Sequence, residues 1–262
     1  MMTRGFQATD RALLRVSGPE TREFLQGLVS NDVRRLDQGP VYAALLSPQG
    51  KYLFDFLLVA DGDGVLLDVK ADRAAALQQR LGMYKLRAKV AIATDPRMVV
   101  VGEGAPPVGA LADPRDPSLG WRGYVEDAAG FLAGIEPLDP LAHEAKRVAL
   151  AVPETGVELR PDESYILEMG FERLGGVDFR KGCYVGQEVT ARMKHKTELR
   201  KGLVAVRVEG APPPPGTEIL AAGKPAGTLF SVADGQGLAH LRFDRAEGEL
   251  LAGTARVVRA DS

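Results

Sequence analysis

Three apolar runs, at residues 42–46, 52–60 and 65–69, are separated by Ser47-Pro48-Gln49-Gly50 and Asp61-Gly62-Asp63-Gly64. The second spacer is a strong hairpin signal, so this part of the chain is committed to antiparallel strands. Asp72 is placed to cap a helix over about 73–84, and strands follow at 90–94 and 98–101. Upstream, residues 12–16 read as a short strand. Gly18-Pro19-Glu20 then opens a helix reaching Leu28, with proline in the first turn and acids near its positive end. Phe24, Leu25, Leu28 and Val29 form its apolar face. Strands, a helix and further strands predict an α+β sandwich with a helical layer on one sheet face.

Residues 102–120 are rich in Gly, Pro and Asp and read as a linker or long surface loop. A helix is expected over 140–150, ended by Pro153. The tail is β-rich, with strands at 202–208, 217–220, 226–231, 238–241 and 255–259. Pro212-Pro213-Pro214-Pro215-Gly216 is its sharpest break, and the pattern suits a small barrel or sandwich.

The 262 residues, 45% hydrophobic, can bury a substantial core as one large domain or two to three small ones. A net charge of −2 gives no global attraction to nucleic acid or an acidic membrane surface, so any basic site must be local. No stretch approaches the ~20 apolar residues that span a bilayer. Met1-Met2-Thr3-Arg4-Gly5 lacks the apolar core of a signal peptide. One cysteine rules out an intramolecular disulfide framework and suits a reducing compartment. A cytoplasmic protein is expected, or one of the mitochondrial matrix if eukaryotic.

That cysteine, Cys183, lies in Arg180-Lys181-Gly182-Cys183-Tyr184-Val185-Gly186-Gln187-Glu188. Lys181 or Arg180 would favour its thiolate, and the glycines permit a sharp backbone path or a ligand's close approach. The plainer alternative is a turn in which a small apolar side chain fills a gap. Between Arg180 and Arg207 the chain carries Arg180, Lys181, Arg192, Lys194, Lys196, Arg200, Lys201 and Arg207 against Glu188 and Glu198. This is either a solvated strand face or a local anion site for a carboxylate or phosphate tail. His143, His195 and His240 are far apart and no Cys/His spacing resembles a zinc site, so no metal ligand set is expected. Asp55, within Leu53-Phe54-Asp55-Phe56-Leu57, points either to the solvent face of its sheet, the favoured reading, or into a pocket. Glu168 poses the same question.

Lys181-Gly182-Cys183-Tyr184-Val185-Gly186-Gln187-Glu188 resembles the signature of the YgfZ-type folate-binding proteins. These are relatives of the glycine-cleavage T-protein, an aminomethyltransferase, that support iron–sulfur cluster assembly or repair. Residues 24–33, 46–51 and 84–90 resemble further landmarks of that family, and residues 216–245 are similar to its carboxy-terminal barrel. The resemblance implies a T-protein-like three-part ring. Residues 1–35 plus about 111–199 would form a first α+β portion, 36–110 an inserted α+β portion, and 200–262 a β-barrel. A tetrahydrofolate would occupy the central opening.

Carried over position by position, the resemblance makes Cys183 and Lys181 the functional residues of the signature. Tyr184, Gly186, Gln187, Glu188 and Arg192 join the expected folate-binding set. T-proteins carry paired aspartates in the hairpin strand; the pair here reads Phe54-Asp55. They also hold the pterin with a glutamate after the helix matching 140–150. Residues 148–153 contain no acid, and Glu168 is the substitute considered. The leading expectation is a folate-dependent accessory factor whose partners are iron–sulfur client or assembly proteins. Its alternatives are an aminomethyltransferase or other one-carbon transferase using Asp55, and a non-catalytic folate-binding scaffold.

Overall fold

The computed structural model describes residues 2–196 and 199–259, the side chain of Lys196 excepted. Its first half runs β1 (Arg4–Gln7), β2 (Arg11–Ser17), α1 (Thr21–Gln26), β3 (Val41–Leu46), β4 (Tyr52–Asp61), β5 (Gly64–Lys70), α2 (Ala74–Lys85), β6 (Ala91–Asp95) and β7 (Met98–Glu103). It continues through β8 (Leu111–Ala112), β9 (Trp121–Val125), α3 (Ala128–Leu132), β10 (Glu136–Pro137), α4 (Pro140–Ala149) and α5 (Gln187–Lys196). The last portion holds β11 (Lys201–Glu209), β12 (Thr217–Ala221), β13 (Lys224–Ala233), β14 (Gln236–Arg242), β15 (Leu250–Ala252) and β16 (Ala255–Arg259).

These strands form two five-stranded sheets, ordered β10-β1-β7-β9-β8 and β3-β4-β5-β2-β6, and a closed barrel, ordered β11-β14-β13-β12-β15-β16. The expected α+β class and the terminal barrel are both present. The chain passes between the two sheets from β1 to β2 and back from β6 to β7. Thus β2, in the expected first portion, lies in the sheet of the expected insert, and β7, within that insert, lies in the other sheet.

The apolar character of β3 and β4 has a simple cause: both faces of their sheet are covered. Ala43, Leu45, Phe56 and Leu58 face one core with Leu25, Leu77 and Leu81. Tyr42, Ala44, Leu46 and Leu57 face a second core with Ile166, Met169 and Phe171. A sheet covered on both sides has no polar face to alternate with. This overturns the favoured placement of Asp55, which is buried opposite Ala44 on β3.

Residues 102–120 are no simple linker. They contribute β8 and a 3-10 turn, Pro117–Leu119, and they supply Asp113 and Arg115 to a buried ion network. Asp68 on β5 accepts from Arg11 Nε at 2.7 Å and Arg122 Nη1 at 2.9 Å, while Asp113 accepts from Arg122 Nε at 2.9 Å and Arg115 Nη2 at 2.7 Å. Arg11 and Asp68 belong to one sheet and Arg122 to the other, so the network is a polar seam between them. Burial alone would raise the Asp68 and Asp113 carboxyls, but the adjacent guanidinium charges hold both below the ordinary carboxylate range.

The four-proline segment, the sharpest break in the sequence, is a largely exposed connection between the barrel strands β11 and β12. The barrel core is Val206, Val208, Ile219, Leu229, Leu241 and Val257 with small alanines. Its closure requires β15, a three-residue strand that the apolar pattern did not disclose.

Candidate functional site

Residues 180–186 form a loop that leads into α5. Within it Gly182 and Gly186 adopt left-handed backbone angles, φ +97° and +81°. At Gly186 a Cβ would lie 2.5 Å from the Ser47 carbonyl oxygen, so only glycine lets the loop press on the β3–β4 turn. Gln187, at the start of α5, turns back so that its Oε1 accepts from Tyr184 N–H at 3.0 Å. Cys183, at the loop's crest, is exposed.

Lys181 is buried and turned away from solvent. Its ammonium donates to the carbonyl oxygens of Gln26, at 2.6 Å, and Val29, at 2.5 Å, where α1 ends. It also lies 4.9 Å from the centroid of the Tyr184 ring. Burial pulls its amine down to about 8. Its bonds therefore anchor the cysteine loop to the end of α1. Glu188 and Arg192, exposed on α5, pair with each other one turn apart at 2.8 Å. Lys194, also on α5, pairs with Glu172, and its Nζ lies 5.6 Å from the Phe179 ring. Of the basic stretch between Arg180 and Arg207, residues 197 and 198 and the side chain of Lys196 lie outside the described residues.

The other two expected site residues are elsewhere. Asp55 accepts hydrogen bonds from Tyr42 Oη at 3.0 Å, Tyr52 Oη at 2.8 Å and Thr155 Oγ1 at 2.5 Å, and it lines none of the cavities described below. Burial and the Asp55 charge together push both tyrosine hydroxyls well above their ordinary range, so they remain donors. Glu168 is buried beside the barrel, with Oε2 3.3 Å from both Lys201 Nζ and His240 Nε2. It lines a small cavity there and not the central one.

The central cavity, about 460 Å3, opens between β1, β2, the end of β5, α4 and the segment after it. Arg11, Lys70, Arg115, Arg122 and Arg147 supply positive charge, and Asp10, Glu144 and Glu154 supply negative. Glu154 Oε1 pairs with Lys70 Nζ at 2.7 Å. Burial would raise the Glu154 carboxyl, but Lys70 and Arg11 hold it below its ordinary value. His143 and Arg147 stand one turn apart on α4. His143 Nδ1 is buried with no hydrogen-bond partner among the described residues, and burial brings the imidazole down to about 4. Arg147 bridges outward: Nη2 donates to Ser231 Oγ on β13 at 2.8 Å, and Nη1 faces Glu158 at 3.3 Å.

Sequence reading missed most of this cavity. Glu154 had a usable signal, since it follows Pro153, the last residue of the acid-free stretch, by one position. Arg11, Arg115, Arg122 and His143 had none, because the cavity draws them from separate elements. Among the described residues no three His, Cys, Asp or Glu side chains are grouped to hold a metal ion, and no helix is long and apolar enough to cross a membrane.

Charged residues of both sheets and of α4 line this cavity, and the closed barrel contributes none of its lining, packing instead against α4. This arrangement defines a class. The fold is that of the aminomethyltransferase T of the glycine cleavage system: the solved structure from Bartonella henselae superposes with a TM-score of 0.81, covering 100% of this chain and 85% of that one at 17% identity. Residues 200–261 match the family described as CAF17, C-terminal beta-barrel domain. The particular family follows from the sequence relatives. This chain belongs to the IBA57 family of iron–sulfur cluster assembly factors, the YgfZ-type kinship expected from the cysteine signature. The mouse mitochondrial factor is 32% identical over 94% of this chain and 79% of its own length. The human one is 30% identical with the same coverage. A homologue from Mycosarcoma maydis is 39% identical over 78% of this chain, which spans 57% of that longer protein.

Proposed function

We propose that this chain is a tetrahydrofolate-binding accessory factor in the assembly or repair of iron–sulfur proteins. The observation that carries the reading is Cys183, exposed on a loop that Lys181 anchors to α1, in a chain akin to iron–sulfur cluster assembly factors over 94% of its length. A rigidly presented thiol suits transient handling of sulfur or iron. Such clusters usually take four cysteine ligands, so a client or assembly protein supplies the others, docking on the face of Cys183, Phe179 and α5.

The central cavity fits a reduced folate on three observations. Its volume, about 460 Å3, accommodates a drug-sized ligand. The unpartnered His143 Nδ1 and the Glu154 carboxylate offer hydrogen bonds to a pterin ring. Arg11, Arg115 and Arg122 offer charge to a carboxylate tail. When bound, tetrahydrofolate would supply a reduced ring able to carry a one-carbon unit; the chain's own residues bind and orient it. Enclosure of Asp55 by three hydroxyls weighs against aminomethyl transfer through that carboxylate.

Complementation tests the thiol. In a strain lacking its own family member, wild type should restore the activity of a [4Fe–4S] enzyme and Cys183→Ala should not. Full restoration by Cys183→Ala removes the thiol's role. Titration of tetrahydrofolate tests the cavity: wild type should bind and Glu154→Gln should bind at least about tenfold more weakly, the loss of one charge-assisted hydrogen bond. No binding by wild type would remove the folate and leave the thiol's role standing.

A further inference from the structure

The outer wall of the barrel carries a second cavity, about 440 Å3, that shares no lining residue with the central one. Arg200, Lys201, His240, Arg242 and Arg245 line it, and among the described residues no aspartate or glutamate does. In a chain of net charge −2 this is a local concentration of positive charge.

Strand register brings these side chains together. Lys201 on β11 stands directly opposite Arg242 on β14, and Leu203 stands opposite His240. His240 is also opposite Thr228 on β13, which lines the same cavity. Residues two apart on a strand share a face, so His240 and Arg242 lie on the outer side while Ala239 and Leu241 fill the barrel core. Like charges directly opposite each other on paired strands are destabilising. Lys201 and Arg242 hold such a position, with Arg200 adjoining in sequence and Arg245 in the turn after β14.

Two carboxylates offset this only in part. Glu168 Oε2 approaches Lys201 Nζ and His240 Nε2 at 3.3 Å, and Asp244 Oδ2 approaches Arg242 Nη2 at 3.3 Å. His240 Nε2 is nonetheless buried without a hydrogen bond of good geometry. A concave surface, a cross-strand like-charge pair and an unsatisfied ring nitrogen together favour a negatively charged ligand.

We infer that this barrel cavity binds a small polyanion, a ligand with closely spaced carboxylates or phosphates. The arginine forks suit either group in a bidentate fashion, and Lys201 and His240 supply further donors. The site is independent of the central cavity. Its ligand could come from a γ-linked glutamyl chain or from a free phosphate chain, which share this chemistry.

Inorganic tripolyphosphate and a tetra-γ-glutamate peptide, titrated separately into the full chain at low salt and followed by calorimetry, distinguish the two sources. At least one should bind, and its affinity should fall about tenfold or more in Arg242→Gln/Arg245→Gln, as expected for lost hydrogen bonds to charged groups. Binding should weaken as salt rises and be unchanged in Glu154→Gln. Tripolyphosphate binding alone assigns a phosphate ligand; peptide binding alone assigns a polycarboxylate. Because Arg242→Gln removes a like-charge neighbour of Lys201, it should melt no lower than wild type while losing the probe-induced rise in melting temperature. Arg245→Gln, outside the strand pairing, is the second variant should Arg242 prove necessary for folding. Failure of both probes to bind wild type, or equal binding by the charge-reduced variants, overturns the inference.

Discussion

Gln26 and Lys181, 155 positions apart in sequence, hold each other reciprocally: Lys181 Nζ donates to the Gln26 carbonyl oxygen at 2.6 Å, and Gln26 Nε2 donates to the Lys181 carbonyl oxygen at 3.2 Å. With the further bond to Val29 O, this fixes the base of the cysteine loop to the end of α1. Lys181→Met keeps the aliphatic stem but removes the ammonium. It should lower stability by about 2 kcal/mol, since buried carbonyls lose charged donors. Denaturant unfolding measures the loss, and amide hydrogen exchange over 180–186 should accelerate relative to the barrel strands.

Asp55 is held by donors alone. Asp55→Asn replaces one acceptor oxygen with a donor facing the Tyr42, Tyr52 and Thr155 hydroxyls. The expected cost is about 1–3 kcal/mol. Tyr52→Phe removes a single hydroxyl and should cost less than Asp55→Asn. Urea unfolding of the two variants checks the order, and an Asp55→Asn protein as stable as wild type would contradict this account of the site.

The seam between the sheets makes a larger prediction. Asp113→Asn keeps the volume but leaves Arg115 and Arg122 short of compensating charge in a buried setting. Removing one partner of a buried ion pair costs roughly 3–5 kcal/mol. The melting temperature should fall steeply, as thermal unfolding followed by circular dichroism would show.

His143 makes stability depend on pH in a defined direction. Its imidazole titrates near 4 in the folded chain, against an ordinary value of 6.5, because burial favours the neutral form. Between those values the unfolded chain holds more protons, so stability falls as pH drops from 6.5 towards 4. A shift of this size corresponds to at most about 3 kcal/mol. His143→Gln should flatten that part of the stability profile, measured by urea unfolding at successive pH values.

What could be read in advance follows from the range of the interactions involved. The hairpin at Asp61-Gly62-Asp63-Gly64 and the alternation of β11 and β14 are local patterns, visible within a few residues. The glycines around Cys183 were likewise legible as a sharp turn, and both adopt left-handed angles. The apolar run of β4 announced a strand, yet nothing local indicated that both of its faces would be covered. The solvent-facing placement of Asp55 failed for that reason.

The sequence by itself determined most of the longer strands and the glycine turn that carries Cys183, because hydrophobic periodicity and turn chemistry act over short spans. β15 and the closure of the barrel came only with the fold. Only the tertiary structure decided where the long charged side chains go. Lys181 lies two residues from Cys183, yet its ammonium bonds the end of α1. Arg11 and Arg122 meet at Asp68 from sequence separations of 57 and 54. Glu154 reaches the central cavity beside Lys70 only because the sheets and α4 close around it. Such partners are chosen by burial, where an unpaired charge is too costly to leave alone, and burial is a property of the assembled fold.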